Sequence, residues 1–200
     1  MSDLEGNPQA TDLAIEPGVH TAFFYGTLMH PKILRTVIRH NGSQLQICPA
    51  ILLEHTRHKV KWAEYPGVVP YSRSSKSLFT RELEPEERCV RGTLVTGLTE
   101  ADLGRLDYFE GPDYGRQNVQ VHKLGEMMSL DSYQLDEQAS GDLLPTTPQA
   151  LPDREVLTSE SGQTDAQTYV FKDISELEAE MWSFEEFVKE NAWKWYRSDS

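Results

Sequence analysis

Cysteine is nearly absent. Cys48 and Cys89 are the only two, and they lack the close pairing of a zinc site. Residues 1–18 are acidic and polar, without the basic and apolar stretches of a secretory signal. Both thiols are therefore expected to be free and reduced, in a cytoplasmic setting. No apolar run approaches the ~18 residues of a membrane helix. Gly-x-Gly-x-x-Gly turns, Walker loops and Gly-x-Ser-x-Gly elbows are also missing, so no nucleotide cofactor is indicated. Positive charge is scarce, with 19 Lys and Arg against 32 Asp and Glu and a net charge of −13. That argues against a nucleic-acid partner, which would need a basic face to neutralise phosphates.

The chain of 200 residues, 38% hydrophobic and 26% charged, suffices for one domain with a real core. Residues 1–19 read as a tail and 20–200 as the domain. Within it, residues 125–165 read as an acidic insertion or loop. Between Glu126 and Asp165 stand nine acids and one base, Arg154, which leaves only −5 for the rest of the chain. A stretch so rich in Ser, Thr, Gln, Pro and Asp buries little apolar surface.

The element order reads strand, helix, strands, helix, strand, long loop, strand, helix. Residues 21–25 (TAFFY) form an apolar strand. A helix then starts at Pro31 and carries Ile33, Leu34, Val37 and Ile38 on one side, up to Gly42. Residues 49–60 read as one strand running into a basic stretch. Pro66-Gly67 reads as a turn before a short apolar strand. Residues 88–94 alternate as a strand. Thr99-Glu100-Ala101-Asp102 resembles a capping box that opens a helix with Leu103, Leu106 and Phe109, stopped by Gly111-Pro112. Residues 116–124 and 166–171 are further strands, and Ser183-Phe184-Glu185-Glu186 opens a last helix. The class is mixed α+β, and the short strands suit a small barrel or strongly curled sheet.

Two places carry candidate chemistry. Tyr25-Gly26-Thr27-Leu28 joins a buried strand to a helix. Its glycine allows a positive φ or a close backbone approach, and the amides of Gly26, Thr27 and Leu28 are placed to serve as donors to an anionic group. A plain tight turn explains the same residues. The second place is Leu106-Asp107-Tyr108-Phe109-Glu110-Gly111, followed by Tyr114 and Arg116. A carboxyl at a helix C-terminus, desolvated by Tyr108, Phe109 and Tyr114, titrates closer to neutrality, as a general acid/base must. A solvated helix-end glutamate is the competing reading. Asp107 is read as forming a salt bridge to Arg116 or Arg105. His55 and His58 would point to opposite faces of a strand. Arg57, His58, Lys59 and Lys61 read as a solvated strand face, and Trp182, Trp193 and Trp195 as packing residues.

Five segments in order resemble the γ-glutamylcyclotransferase-like family, nearest its plant and fungal avirulence-induced-gene type. They are Phe24-Tyr25-Gly26-Thr27-Leu28-Met29-His30-Pro31; His55-Thr56-Arg57-His58-Lys59-Val60 with Tyr65-Pro66-Gly67-Val68-Val69-Pro70; Val90-Arg91-Gly92-Thr93-Leu94; Leu106 to Gly111 with Tyr114-Gly115-Arg116; and 166–171 with Trp182-Ser183-Phe184-Glu185-Glu186-Phe187. The resemblance covers residues 21–124 and 166–195. It implies a small mixed β-barrel with flanking helices and a transferase- or lyase-type intramolecular aminolysis that needs no cofactor. A γ-glutamyl group would close to 5-oxoproline and release an amine or amino acid, as in glutathione metabolism. Glu110 would be the catalytic acid/base. Tyr25, Gly26, Thr27 and Leu28 would bind the substrate, and Tyr114 would bind it or position Glu110. A tailoring enzyme on a specialised metabolite and a non-catalytic binding protein remain as alternatives. The leaving group and the oligomeric state stay open.

Overall fold

The computed structural model describes residues 19–133 and 163–182. The expected tail up to residue 18, most of the acidic segment and the last helix lie outside the described residues.

Five strands close into a barrel. They are β1 (His20–Phe24), β2 (Gln46–Leu53), β5 (Cys89–Leu98), β6 (Tyr114–Lys123) and β8 (Gln163–Phe171). Around the ring the order is β5, β1, β8, β6, β2 and back to β5. Every pairing is antiparallel except β1 with β8, which is parallel. Closure removes the exposed sheet edge that a short-stranded open sheet would carry. The fold is thus α+β, a small mixed barrel with helices on its flank.

Side chains alternate along each strand, so one set points into the barrel. Cys48 faces Leu94, Ala50 faces Gly92 and Leu52 faces Val90 across the β2 and β5 pair. Together with Val121 and Ala166 they pack around Phe23, which is fully buried. Gly92 stands where the Phe23 ring needs room. A Cβ on Gly92 would stand 2.2 Å from the Phe24 carbonyl oxygen and 2.7 Å from Phe23 Cζ. Gly92→Ala is therefore expected to cost at least ~2 kcal/mol through overpacking, read as a lower denaturant midpoint at unchanged slope.

The other face of the barrel carries the larger apolar cluster, with Phe24, Leu28, Ile33, Leu34, Ile38, Leu103 and Leu106. Helix α1 (Pro31–Ile38) is capped by His30, whose Nδ1 accepts from the Lys32 amide at 3.3 Å. It ends earlier than Gly42, because Arg39 takes the left-handed conformation at φ 60. Helix α3 (Glu100–Glu110) opens on the expected capping box, with the Thr99 side chain and Asp102 bonded reciprocally. His40 Nε2 also meets Asp102, at 2.9 Å, and ties the end of α1 to the start of α3.

The stretch 49–60 is two strands rather than one. Glu54 sits at φ 54 and turns the chain out of the barrel into β3 (His55–Val60). That strand joins β4 (Pro66–Pro70) and β9 (Leu177–Met181) in a separate three-stranded sheet. Pro66 and Gly67 are strand residues, and the turn lies before them at 61–65. A one-turn helix, α2 (Tyr71–Ser74), follows. Of residues 125–165, Met128–Ser129 forms the short strand β7 on β2 and Leu130 and Tyr133 are buried. At the other end, β8 begins at Gln163, three residues ahead of the expected 166.

Candidate active site

The parallel register of β1 with β8 and the antiparallel register of β8 with β6 bring three chain segments to one end of the barrel. Ala22 faces Gln167, and on the other side Tyr114 faces Phe171 and Arg116 faces Tyr169. The Tyr25 loop therefore lies beside Tyr169 and the start of β6, immediately after α3 ends. A cavity forms there, lined by Tyr25, Gly26, Thr27, Leu28, Tyr65, Pro66, Glu110, Tyr114 and Tyr169 over Phe23 and Phe24. Every sequence-derived site residue is in this lining. Its volume is about 20 Å³, room for about one water molecule.

Glu110 reaches the cavity because it follows Leu103 and Leu106 at helical spacing and shares their inner face. Burial raises its carboxyl pKa to about 8. Tyr108 has no part in that burial, because it lies on the solvent side of α3 and is 89% exposed. The desolvation comes from the cavity wall instead. Among the described residues Glu110 has no hydrogen-bond or ion-pair partner. Asp107 is occupied elsewhere. It accepts from the Tyr169 hydroxyl at 2.8 Å and meets Arg116 at 3.4 Å, while Arg105 pairs with Asp102.

The loop is a single 3₁₀ turn, Thr27–Met29, beginning after Gly26. The Met29 and His30 amides bond back to the carbonyls of Gly26 and Thr27. Among the described residues no backbone carbonyl outside the regular elements accepts from Gly26, Thr27 or Leu28, as expected of the first amides of a turn. Gly26 has φ −131, so its need is space, not a positive φ. A Cβ there would fall 2.8 Å from Pro66 Cγ. Gly26→Ala is expected to displace the loop from Pro66 and weaken ligand binding about tenfold or more, with a stability loss of ~1–3 kcal/mol. Calorimetric titration beside thermal unfolding checks both.

The three cavity tyrosines keep their protons. Burial pushes the pKa of Tyr25, Tyr114 and Tyr169 upward, and nearby Glu110 adds to each shift. All three hydroxyls already donate, Tyr25 to the Tyr169 carbonyl, Tyr114 to the Pro66 carbonyl at 2.7 Å and Tyr169 to Asp107. Their oxygens remain as acceptors. The lining thus brings together a loop with free amides, three phenols and one carboxyl without a hydrogen-bond or ion-pair partner among the described residues.

Three of these neighbours escape a reading of the sequence. Tyr169 arrives only through strand register, Tyr65 and Pro66 through the second sheet. Arg57 and His58 are not a solvated face. His58 is fully buried, bonded to Thr56 and to the Glu178 carbonyl. Arg57 lies beneath Trp182 and donates to the Tyr25 carbonyl. His55 does face away from His58, and bonds the Leu53 carbonyl. Among the described residues no three or more metal-type side chains converge, and no helix is long and apolar enough to cross a membrane.

Known proteins share this fold or part of this sequence. A solution structure from Arabidopsis thaliana superposes with a TM-score of 0.52 at 22% identity, covering 90% of this chain and 79% of that one, a likeness of fold. Protein AIG2 C of Arabidopsis thaliana is 28% identical over 120 residues, 59% of this chain and 62% of the relative. AIG2-like protein D is 31% identical over 103 residues, 52% and 57% of the two chains. The chain thus spans about six-tenths of the length of these relatives. The profile described as Gamma-glutamyl cyclotransferase, AIG2-like, matches residues 22–154. The chain belongs to that family.

Proposed function

We propose that the protein cyclises a γ-glutamyl group to 5-oxoproline and releases the attached amine or amino acid. One observation carries this reading: a half-buried, desolvated carboxyl without a hydrogen-bond or ion-pair partner among the described residues, Glu110, lines the same cavity as Gly26, Thr27 and Leu28.

In the proposed reaction the substrate's α-carboxylate takes the amides of the loop, an anion site at the start of a turn. Its α-ammonium lies among the phenolic oxygens and Glu110. The ionised Glu110 removes a proton from the ammonium. The free amine attacks the γ-carbonyl carbon of the same molecule, forming the ring C–N bond. Glu110 then delivers its proton to the departing nitrogen as the γ-amide C–N bond breaks, and the ring nitrogen, left with two hydrogens by the attack, gives up one, which departs on the released amine as its ammonium. Atoms and charge balance without a co-reactant. Folding the substrate so that amine and carbonyl meet is much of the catalysis. A γ-glutamyl group exceeds the present cavity, so the lining must open to bind it, and Tyr65 is the one lining residue exposed at its surface.

The test is 5-oxoproline release from a panel of γ-glutamyl amino acids, γ-glutamyl amines and glutathione. Release from at least one supports the reading, and the preferred member identifies the leaving group. A folded protein that releases none from any member contradicts it and favours a binding role for the same cavity.

A further inference from the structure

Arg57 is held by backbone carbonyls and an aromatic ring beside the cavity. Its Nη1 donates to the Tyr25 carbonyl at 2.7 Å and leans toward the Arg91 carbonyl at 3.4 Å. Its guanidinium lies 5.1 Å from the centre of the Trp182 ring. The indole is held in turn by a bond from its Nε1 to the Glu64 carbonyl at 3.0 Å. Burial pushes the Arg57 pKa down to about 10, and the groups opposing that shift are Tyr25 and Cys89, not a carboxylate. Among the described residues no Asp or Glu pairs with it. A half-buried, desolvated cation without a counter-ion carries a cost, and its bond to the loop beside the cavity gives that charge a use.

The bond to Tyr25 shows the use. The Tyr25 carbonyl and the Gly26 N–H belong to one planar trans peptide, so they point in opposite directions. Arg57 grips that peptide from outside, since it is not part of the cavity lining, whereas Tyr25 and Gly26 are. Fixing the carbonyl outward turns the Gly26 N–H toward the cavity. A charge-assisted bond at one end of an amide also polarises the N–H at the other. From this geometry we infer that Arg57 is a positioning residue, which aims and strengthens the Gly26 amide and so supplies, through the backbone, the positive end that the substrate's α-carboxylate meets. The inference rests on the proposed cyclotransferase reading.

Its test pairs a change in the protein with a change in the substrate. Arg57→Met and Arg57→Lys are assayed with the best γ-glutamyl substrate and with the same compound carrying an α-carboxamide. For the carboxylate substrate, Arg57→Met is expected to raise KM about 10- to 50-fold with kcat nearly constant. For the carboxamide, variant and wild type should agree within about threefold, because the coupled partner is gone. Arg57→Lys keeps a charge but loses the planar stacking, and should fall between. Equal loss on both substrates, or no loss on either, overturns the inference.

A second readout needs no turnover. In ¹H–¹⁵N spectra of the full chain, Arg57→Met should move the Gly26 amide proton upfield while resonances of β6 remain in place. A Gly26 resonance that stays put contradicts the inference even in an active enzyme. One that moves in a protein releasing no 5-oxoproline upholds the Arg57 link to Gly26 and overturns the cyclotransferase reading instead. Should Arg57→Met fail to fold, Arg57→Lys serves for both readouts.

Discussion

Glu110→Gln is expected to abolish 5-oxoproline release, by about a thousandfold in kcat/KM, while leaving ligand binding within a few-fold. Glutamine keeps the volume and the hydrogen-bonding atoms of the side chain but can neither take a proton from an ammonium nor return one. The variant should fold, because Glu110 supports no structural bond among the described residues and its burial favours a neutral group. Loss of turnover with retained binding separates proton transfer from a general effect on the cavity. The pH dependence follows from the same carboxyl. The base is the ionised form, so with a pKa near 8 the wild-type kcat/KM should rise with pH and level off above about 8. Retained activity in the variant would assign the proton transfers elsewhere, first of all to Asp107, which stands one helical turn away.

The same substitution is expected to stabilise the protein in alkaline solution. In the unfolded chain this carboxyl titrates near its ordinary value of 4.5, and in the native state near 8. Between those values the native state holds a proton that the unfolded state has released, so wild-type stability falls as pH rises through the interval. Below about 4.5 both states are protonated and no penalty remains. Glutamine never ionises and escapes the penalty. Wild type and Glu110→Gln should therefore unfold with similar free energies near pH 4.5, whereas near pH 9 the variant should be more stable by roughly 2–4 kcal/mol. Denaturant melts at the two pH values measure this. An equal difference at both would mean that Glu110 is not held neutral by its surroundings. The expected gain in stability beside a loss of turnover is the trade that catalytic groups commonly embody.

The parts of the fold legible in sequence were those encoded locally. The α3 capping box needs only Thr99 and Asp102 at fixed spacing. The inward direction of Glu110 follows from Leu103 and Leu106, and the loop from a glycine between an apolar strand and Pro31. What was not legible depends on register. Tyr169 enters the cavity because β8 lies parallel to β1, a pairing between residues more than a hundred positions apart. Leu177–Met181 reads LEAEM, a composition suited to a helix, and becomes a strand by pairing with β3, where Lys59 meets Glu180 at 2.7 Å. The basic run around Arg57 reads as solvated because nothing local reveals that Trp182 covers it. The break at Glu54 was hidden for a similar reason. Its left-handed backbone serves the departure of the chain from the barrel, and glutamate gives no sign of it.

The account turns on whether the Glu110 carboxyl is held neutral in a shared cavity, and its ionisation can be observed directly. Side-chain ¹³C-carboxyl spectra of glutamate-labelled protein, recorded across pH and assigned by the signal that Glu110→Gln removes, would follow that one group. A midpoint near 8 is the predicted result. A midpoint below about 5, the ordinary range for a solvated glutamate, would contradict the account, because a carboxylate at ease in water at that position has neither the burial nor the basicity that the proposed chemistry requires.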